Sequence, residues 1–178
     1  MRLVKGLLFG LAVLTSLLLA AGLILPKSAH VERSIRTSAS PAAVYALVDG
    51  FQHFNEWSPW SGLDPKTKYS YSGPPSGVGA KMTWNSDDPN VGSGSQEIIA
   101  VEPDRMVRIR LEFGDQGPSQ STLTIMPDGT GSTVTWAFAA DFTDRYFDRY
   151  LGLMFDRFIG PDYEKGLAKL KKVAEATP

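Results

Sequence analysis

The sequence predicts an α+β domain: an antiparallel sheet of about seven strands wrapped around one long C-terminal helix, preceded by a single transmembrane helix. Three observations predict it. Gly6 to Leu25 is a run of twenty residues without a charge. From Lys66 to Asp141 apolar residues recur at every second position, the period of a strand with one buried face. After Asp141 the apolar spacing returns to that of a helix.

Size and charge narrow the possibilities further. Of the 178 residues, those after the apolar run number roughly 150, enough for one well-buried domain and too few for two. Without Arg2 and Lys5, 16 basic residues face 19 acidic ones, so the domain has no basic excess with which to hold a phosphate backbone. That argues against a nucleic-acid partner. The chain has no cysteine, which excludes disulfides, thiolate metal sites and a cysteine nucleophile.

Residues 1–5 form a short basic tail and residues 6–25 the apolar segment. As a helix the segment would be about 30 Å long, the thickness of a bilayer's hydrocarbon core. Thr15 and Ser16 can bond back to helix carbonyls and do not oppose insertion. An apolar surface on every side does not suit a helix buried in so small a domain. Leu19-Ala20-Ala21 and Lys27-Ser28-Ala29 match a signal-peptide cleavage site poorly, because a large or charged residue stands at the first small position. The segment therefore reads as a retained signal anchor, with secretion after cleavage as the alternative. Arg2, Lys5 and the terminal amine on one side of the span are nearly balanced by Lys27, Arg33 and Arg36 on the other. Because a short basic tail before a first span is normally kept in the cytoplasm, the domain is expected on the extracytoplasmic, periplasmic side. The membrane is thus an expected partner, contacted through residues 6–25.

Pro26 ends the span, and residues 26–30 read as a tether before a domain of residues 31–176. Val31, Arg33 and Ile35 alternate with Glu32, Ser34 and Arg36 in a first strand. Ser40 then serves as a helix cap with Pro41 at the first helical position. The helix it opens ends at Asp49-Gly50, and a shorter helical stretch, residues 51–57, runs into Ser58-Pro59-Trp60. Six strands follow. They are centred on Tyr69, Met82, Ile98, Ile109, Leu123 and Trp136, separated by turns such as Glu102-Pro103-Asp104 and Asp128-Gly129. No segment between them is long enough for a parallel crossover, so the sheet is an antiparallel meander.

At the C-terminal end Phe147, Leu151, Met154, Phe155 and Phe158 share one helix face. Gly160-Pro161 interrupts that helix, and Pro161 opens a final one with Asp162 and Glu164 in its first turn. Tyr163, Leu167, Leu170 and Ala174 make its buried face.

This order resembles the START-like or helix-grip superfamily, and within it the polyketide cyclase/dehydrase (SRPBCC) group. The resemblance rests on Ser40-Pro41-Ala42-Ala43-Val44-Tyr45, Phe54-Asn55-Glu56-Trp57-Ser58-Pro59-Trp60, the segment 92–99, Val101-Glu102-Pro103-Asp104-Arg105, the segment 131–136 and the segment 160–167. It covers residues 31–176. It implies a sheet curled around the last helix with an apolar cavity between them, and a ligand that is a hydrophobic small molecule or lipid. The superfamily spans carriers, sensors and cyclases, so the fold alone does not choose among them.

Trp57 and Trp60 are held by the stiff Ser58-Pro59 turn and read as cavity wall or as closure of the core. Met82, Trp84, Ile109, Leu111, Trp136 and Phe138 lie on strand faces directed at the helix, and Leu151 and Phe155 on the helical side. Tyr45 completes the expected lining. Glu97 shares strand parity with Ile99 and Val101 and is a weak catalytic candidate, since a carboxylate on an apolar face can hold a proton. But Ile98 occupies the other parity, which leaves the facing of Glu97 open between that and a solvated or salt-bridged Glu. His30 and His53 stand apart from each other and from any ligand spacing, so neither a metal nor a cofactor is expected. The leading expectation is a membrane-anchored binding domain. A cyclase/dehydrase-like enzyme using the same cavity, and an interaction domain without a ligand, are the alternatives.

Overall fold

The computed structural model describes residues 2–114 and 117–176, without the side chains of residues 2 and 3. Met1 and the side chain of Arg2, both in the expected basic tail, lie outside the described residues. Helix α1 (Arg2–Ile24) is followed by β1 (Ser28–Thr37), α2 (Pro41–Val48) and α3 (Phe54–Trp57). Six strands come next: β2 (Lys68–Ser72), β3 (Lys81–Asn85), β4 (Ser93–Glu102), β5 (Met106–Glu112), β6 (Pro118–Asp128) and β7 (Gly131–Asp141). Helices α4 (Asp148–Gly152) and α5 (Phe155–Ala176) close the chain.

All seven strands form one antiparallel sheet in the order β1-β7-β6-β5-β4-β3-β2. The meander follows from the short turns between β2 and β7. β1 starts at Ser28, inside the segment expected to be a tether, because Ser28 to His30 pair with β7 at Asp141 to Ala139. His30 is therefore a strand residue, exposed beside Glu32. The helix start at Ser40 is as the sequence predicts. Its side chain accepts a hydrogen bond from the Ala43 N–H, and Pro41 occupies the first turn.

The core lies between the concave face of the sheet and α5. Val107, Ile109, Leu123, Ile125, Val134 and Trp136 meet Tyr163, Leu167, Leu170 and Ala174. Gly166 sets how close the helix comes. A Cβ there would stand 2.6 Å from the Trp136 ring and 3.0 Å from Pro59. In an open helix alanine is better than glycine by about 1 kcal/mol. At this contact the sign reverses, and Gly166→Ala is expected to lower the thermal midpoint of the full chain followed by circular dichroism. A raised midpoint would mean that α5 is not held against Trp136.

Two sequence expectations for the C-terminal region need correction. Pro161 does not open a helix but lies inside α5, which is continuous from Phe155. The proline removes one backbone donor. Arg33 of β1 reaches across that position, donating to Asp156 at 2.8 Å on one side and to Glu164 at 2.7 Å on the other. Gly160 leaves room for the guanidinium to lie against the helix. The break in the chain falls earlier, at Leu153 and Met154, between α4 and α5. The apolar face read across Phe147 to Phe158 is consequently split. Phe155 packs on the core, whereas Phe147, Leu151, Met154 and Phe158 are exposed.

Candidate ligand cavity

The sheet curves away from the N-terminal half of α5 and leaves two adjoining lobes, of about 410 and about 240 Å3. Trp60, Leu111, Phe113 and Tyr163 border both and form the partition. The larger lobe runs towards Phe138, Phe142, Leu151 and Phe155. The smaller runs towards Met82, Trp84, Ile109 and Trp136.

An aromatic cluster fixes the wall. Trp136 on β7 stacks on Tyr163 of α5, with centroids 3.8 Å apart and planes 8° from parallel. Trp57 and Trp60 meet the Trp136 ring edge-on at 5.3 and 6.0 Å, the geometry that aromatic quadrupoles favour. Each indole N–H has a partner. Trp57 donates to the Leu47 carbonyl at 3.1 Å, Trp60 to Asp162 at 3.2 Å and Trp136 to the Ser121 hydroxyl at 2.7 Å. Trp84 meets Phe113 edge-on and donates to the Val91 carbonyl, closing the far end of the smaller lobe.

Few polar groups interrupt this lining. Gln96 is buried beside Met82, its amide nitrogen 3.8 Å from the sulfur. Ser119 and Ser121, two residues apart on β6, both point inward. Ser121 lies 3.5 Å from the Tyr163 hydroxyl. Burial pushes the Tyr163 phenol well above its ordinary value, and the Ser121 contact acts in the opposite direction. The phenol thus remains a protonated donor. The Ser119 hydroxyl is buried without a partner, the one such side-chain atom among the described residues.

Most of the lining expected from sequence meets at these lobes. Trp57, Trp60, Met82, Trp84, Ile109, Leu111 and Trp136 border the smaller, and Phe138, Leu151 and Phe155 the larger. Tyr45 borders neither. It sits half-buried at the margin of α2, whose buried side chains are Val44, Leu47 and Val48. Glu97 also borders neither lobe. It is on the outer face, 3.6 Å from Arg110 and paired in register with Lys81. A bulge between Ile98 and Ala100 causes this, because it reverses strand parity before Val101. Gln96 is the inward polar residue instead. Phe113, Ser119, Ser121 and Tyr163 were not among the expected lining residues. Among the described residues no group of three or more His, Asp or Glu is arranged to hold a metal.

Residues 28–175 match the family described as polyketide cyclase / dehydrase and lipid transport. No curated protein matches the chain. Solved structures share the fold at low identity. A protein of unknown function from Staphylococcus aureus superposes with a TM-score of 0.62 at 15% identity, over 85% of this chain and 97% of that one. Aha1 from Colwellia psychrerythraea, solved as a dimer, gives 0.58 at 15% identity, over 83% and 96%. BexL, a di-domain ARO/CYC protein of the BE-7585A biosynthetic pathway, gives 0.61 at 14% identity, over 85% of this chain and 52% of BexL.

Proposed function

The chain belongs to the polyketide cyclase / dehydrase and lipid transport family, and from that premise we propose that it is a membrane-anchored binding protein for a hydrophobic small molecule or lipid. The observation that carries this reading is the bipartite apolar cavity between sheet and α5. Its size and its mostly apolar wall with a few fixed polar groups are those of small-molecule sites. Affinity would come from apolar burial, at about 25 cal/mol per Å2 removed from water. The Ser119 hydroxyl, which lacks a partner, would meet a polar group of an amphiphilic ligand.

A cyclase would need a group free to move a proton within the cavity. The ionisable side chains of the smaller lobe are Tyr69 and Tyr163, and Tyr163 holds its proton firmly. Those of the larger lobe are already engaged, Arg145 with Asp148 and Asp141 with the Thr143 N–H. Binding is therefore the reading favoured over catalysis.

Helix α1 supports the anchor. Val4–Ile24 is long and apolar enough to cross a bilayer, and its side chains are almost all exposed in the fold. The short basic tail before the span, Arg2 and Lys5, is of the kind normally kept in the cytoplasm, which would put the domain on the extracytoplasmic side.

A thermal-shift panel on the detergent-solubilised chain tests the ligand class. Long-chain fatty acids, phospholipids and polycyclic aromatics should separate, with at least one class raising the midpoint by about 5 °C or more near saturation. A flat response to all three would sink the proposal.

A further inference from the structure

Phe147, Leu151, Leu153, Met154 and Phe158 are between 42% and 72% exposed and cluster on α4 and the start of α5. They do not face open space at random. The same stretch grips the end of α1. Tyr146 and Tyr150 donate their hydroxyls to the carbonyls of Leu19 and Leu18. Arg149, itself buried, donates to the Gly22 carbonyl at 3.2 Å and to the carbonyls of Phe142 and Thr143 at 3.3 and 2.9 Å. Gly22 has no side chain, and the Tyr146 ring lies where its Cβ would be. A cation at the C-terminal end of a helix also suits the helix dipole.

These contacts set a depth. The carbonyls of Leu18 and Leu19 lie about 8 Å before the end of α1, at 1.5 Å per residue. Wherever the last turns of α1 sit in a bilayer, α4 sits beside them. A depth of about 5–10 Å is where apolar faces of interfacial helices are buried. Leu17, Leu18 and Leu23 of α1, near this level, are exposed and apolar as well. Charges on the stretch are largely neutralised in place: Asp148 pairs with Arg145 and Asp156 with Arg33. Asp144 and Arg157 are exposed, and the Arg157 stem is long enough to carry its charge to the headgroups.

The larger lobe meets this patch, since exposed Leu151 and Phe158 are part of its border together with the Arg145–Asp148 pair. We infer that the α4–α5 junction is embedded in the leaflet that holds the C-terminal half of α1, so that the cavity opens into the bilayer and exchanges its ligand with lipid directly. This rests on the reading of α1 as a retained anchor.

Because the chain has no native cysteine, single cysteines can be placed in the full-length protein. Leu11→Cys, Leu151→Cys, Phe158→Cys and Met126→Cys would each carry a polarity-sensitive fluorophore. The labelled chains would be reconstituted in phosphatidylcholine vesicles with or without an acyl-chain nitroxide. Met126 is the control. It is seven residues from Ser119 along β6, about 23 Å away.

Labels at Leu11, Leu151 and Phe158 should be quenched at least two-fold, and the label at Met126 should not. Quenching at Leu11 with water-like emission at Leu151 and Phe158 overturns the inference and leaves the anchor intact. No quenching at Leu11 overturns the anchor, and the inference with it. Blue-shifted but unquenched labels at Leu151 and Phe158 would mean that a second copy of the chain covers the patch, which also overturns it. Phe147→Glu and Leu153→Glu, which do not border the cavity, should slow ligand transfer between vesicles at least ten-fold with affinity unchanged. An unaltered transfer rate contradicts the inference.

Discussion

Trp136→Ala should destabilise the domain by about 3–5 kcal/mol, the range for removing a large aromatic side chain from a core. In a protein of this size that lowers the thermal midpoint by about 6–20 °C. Trp136 is 3% exposed and joins three of the rings, stacked on Tyr163 and met edge-on by Trp57 and Trp60. Its loss would leave a void continuous with the smaller lobe. It would also take from Ser121 its 2.7 Å donor. Trp136→Phe separates the two contributions, because it keeps a ring against Tyr163 and removes only the N–H and part of the area. Its expected cost is about 1–2 kcal/mol. If Trp136→Ala cost less than about 1 kcal/mol in denaturant unfolding, the aromatic cluster would not be what joins α5 to the sheet.

Ser119→Phe should have the opposite signature, with binding lost and the fold kept. The side chain points into the larger lobe, and its hydroxyl is buried without a partner. Replacing it removes an unsatisfied polar group, worth about 1–3 kcal/mol. The new ring would enter existing space, so the usual cost of overpacking is reduced. The thermal midpoint of the empty protein is expected to hold or rise. Bound ligand should fall at least ten-fold, about 1.4 kcal/mol or more of affinity. A variant that unfolds would mean that the lobe is closed in solution. One that binds normally would place the ligand elsewhere.

These two positions also mark what can be read from sequence. Trp136 falls on an unbroken alternation, Val134-Thr135-Trp136-Ala137-Phe138, so its direction follows from the period of a strand. Ser119 shares the parity of Leu123 and Ile125, but Ser119-Gln120-Ser121-Thr122 has no apolar contrast to show that the strand reaches back so far; its pairing with Leu111 and Ala140 shows it. Glu97 could not be oriented from sequence, because a bulge that only the pairing with β5 reveals breaks the parity between Glu97 and Val101. Pro161 obeys no local rule for ending a helix here, since the groups that hold the helix across it come from β1, more than a hundred residues earlier. The exposure of Phe147 and Phe158 was hidden for a different reason. An apolar stripe at helical spacing looks the same whether it meets a protein core or a bilayer. Only the fold shows that Phe155 alone of the five residues in that stripe packs on the core, and that the rest stand exposed beside Tyr146 and Tyr150, which hold the end of α1.

Native mass spectrometry of the full-length chain, released from detergent beside its Ser119→Phe variant, tests the central claim most directly. The wild-type chain is expected to carry one apolar adduct that survives release, and the variant to appear mainly at its own mass. Two bare chains, or an adduct held equally by both, would contradict the account of a ligand bound between the sheet and α5.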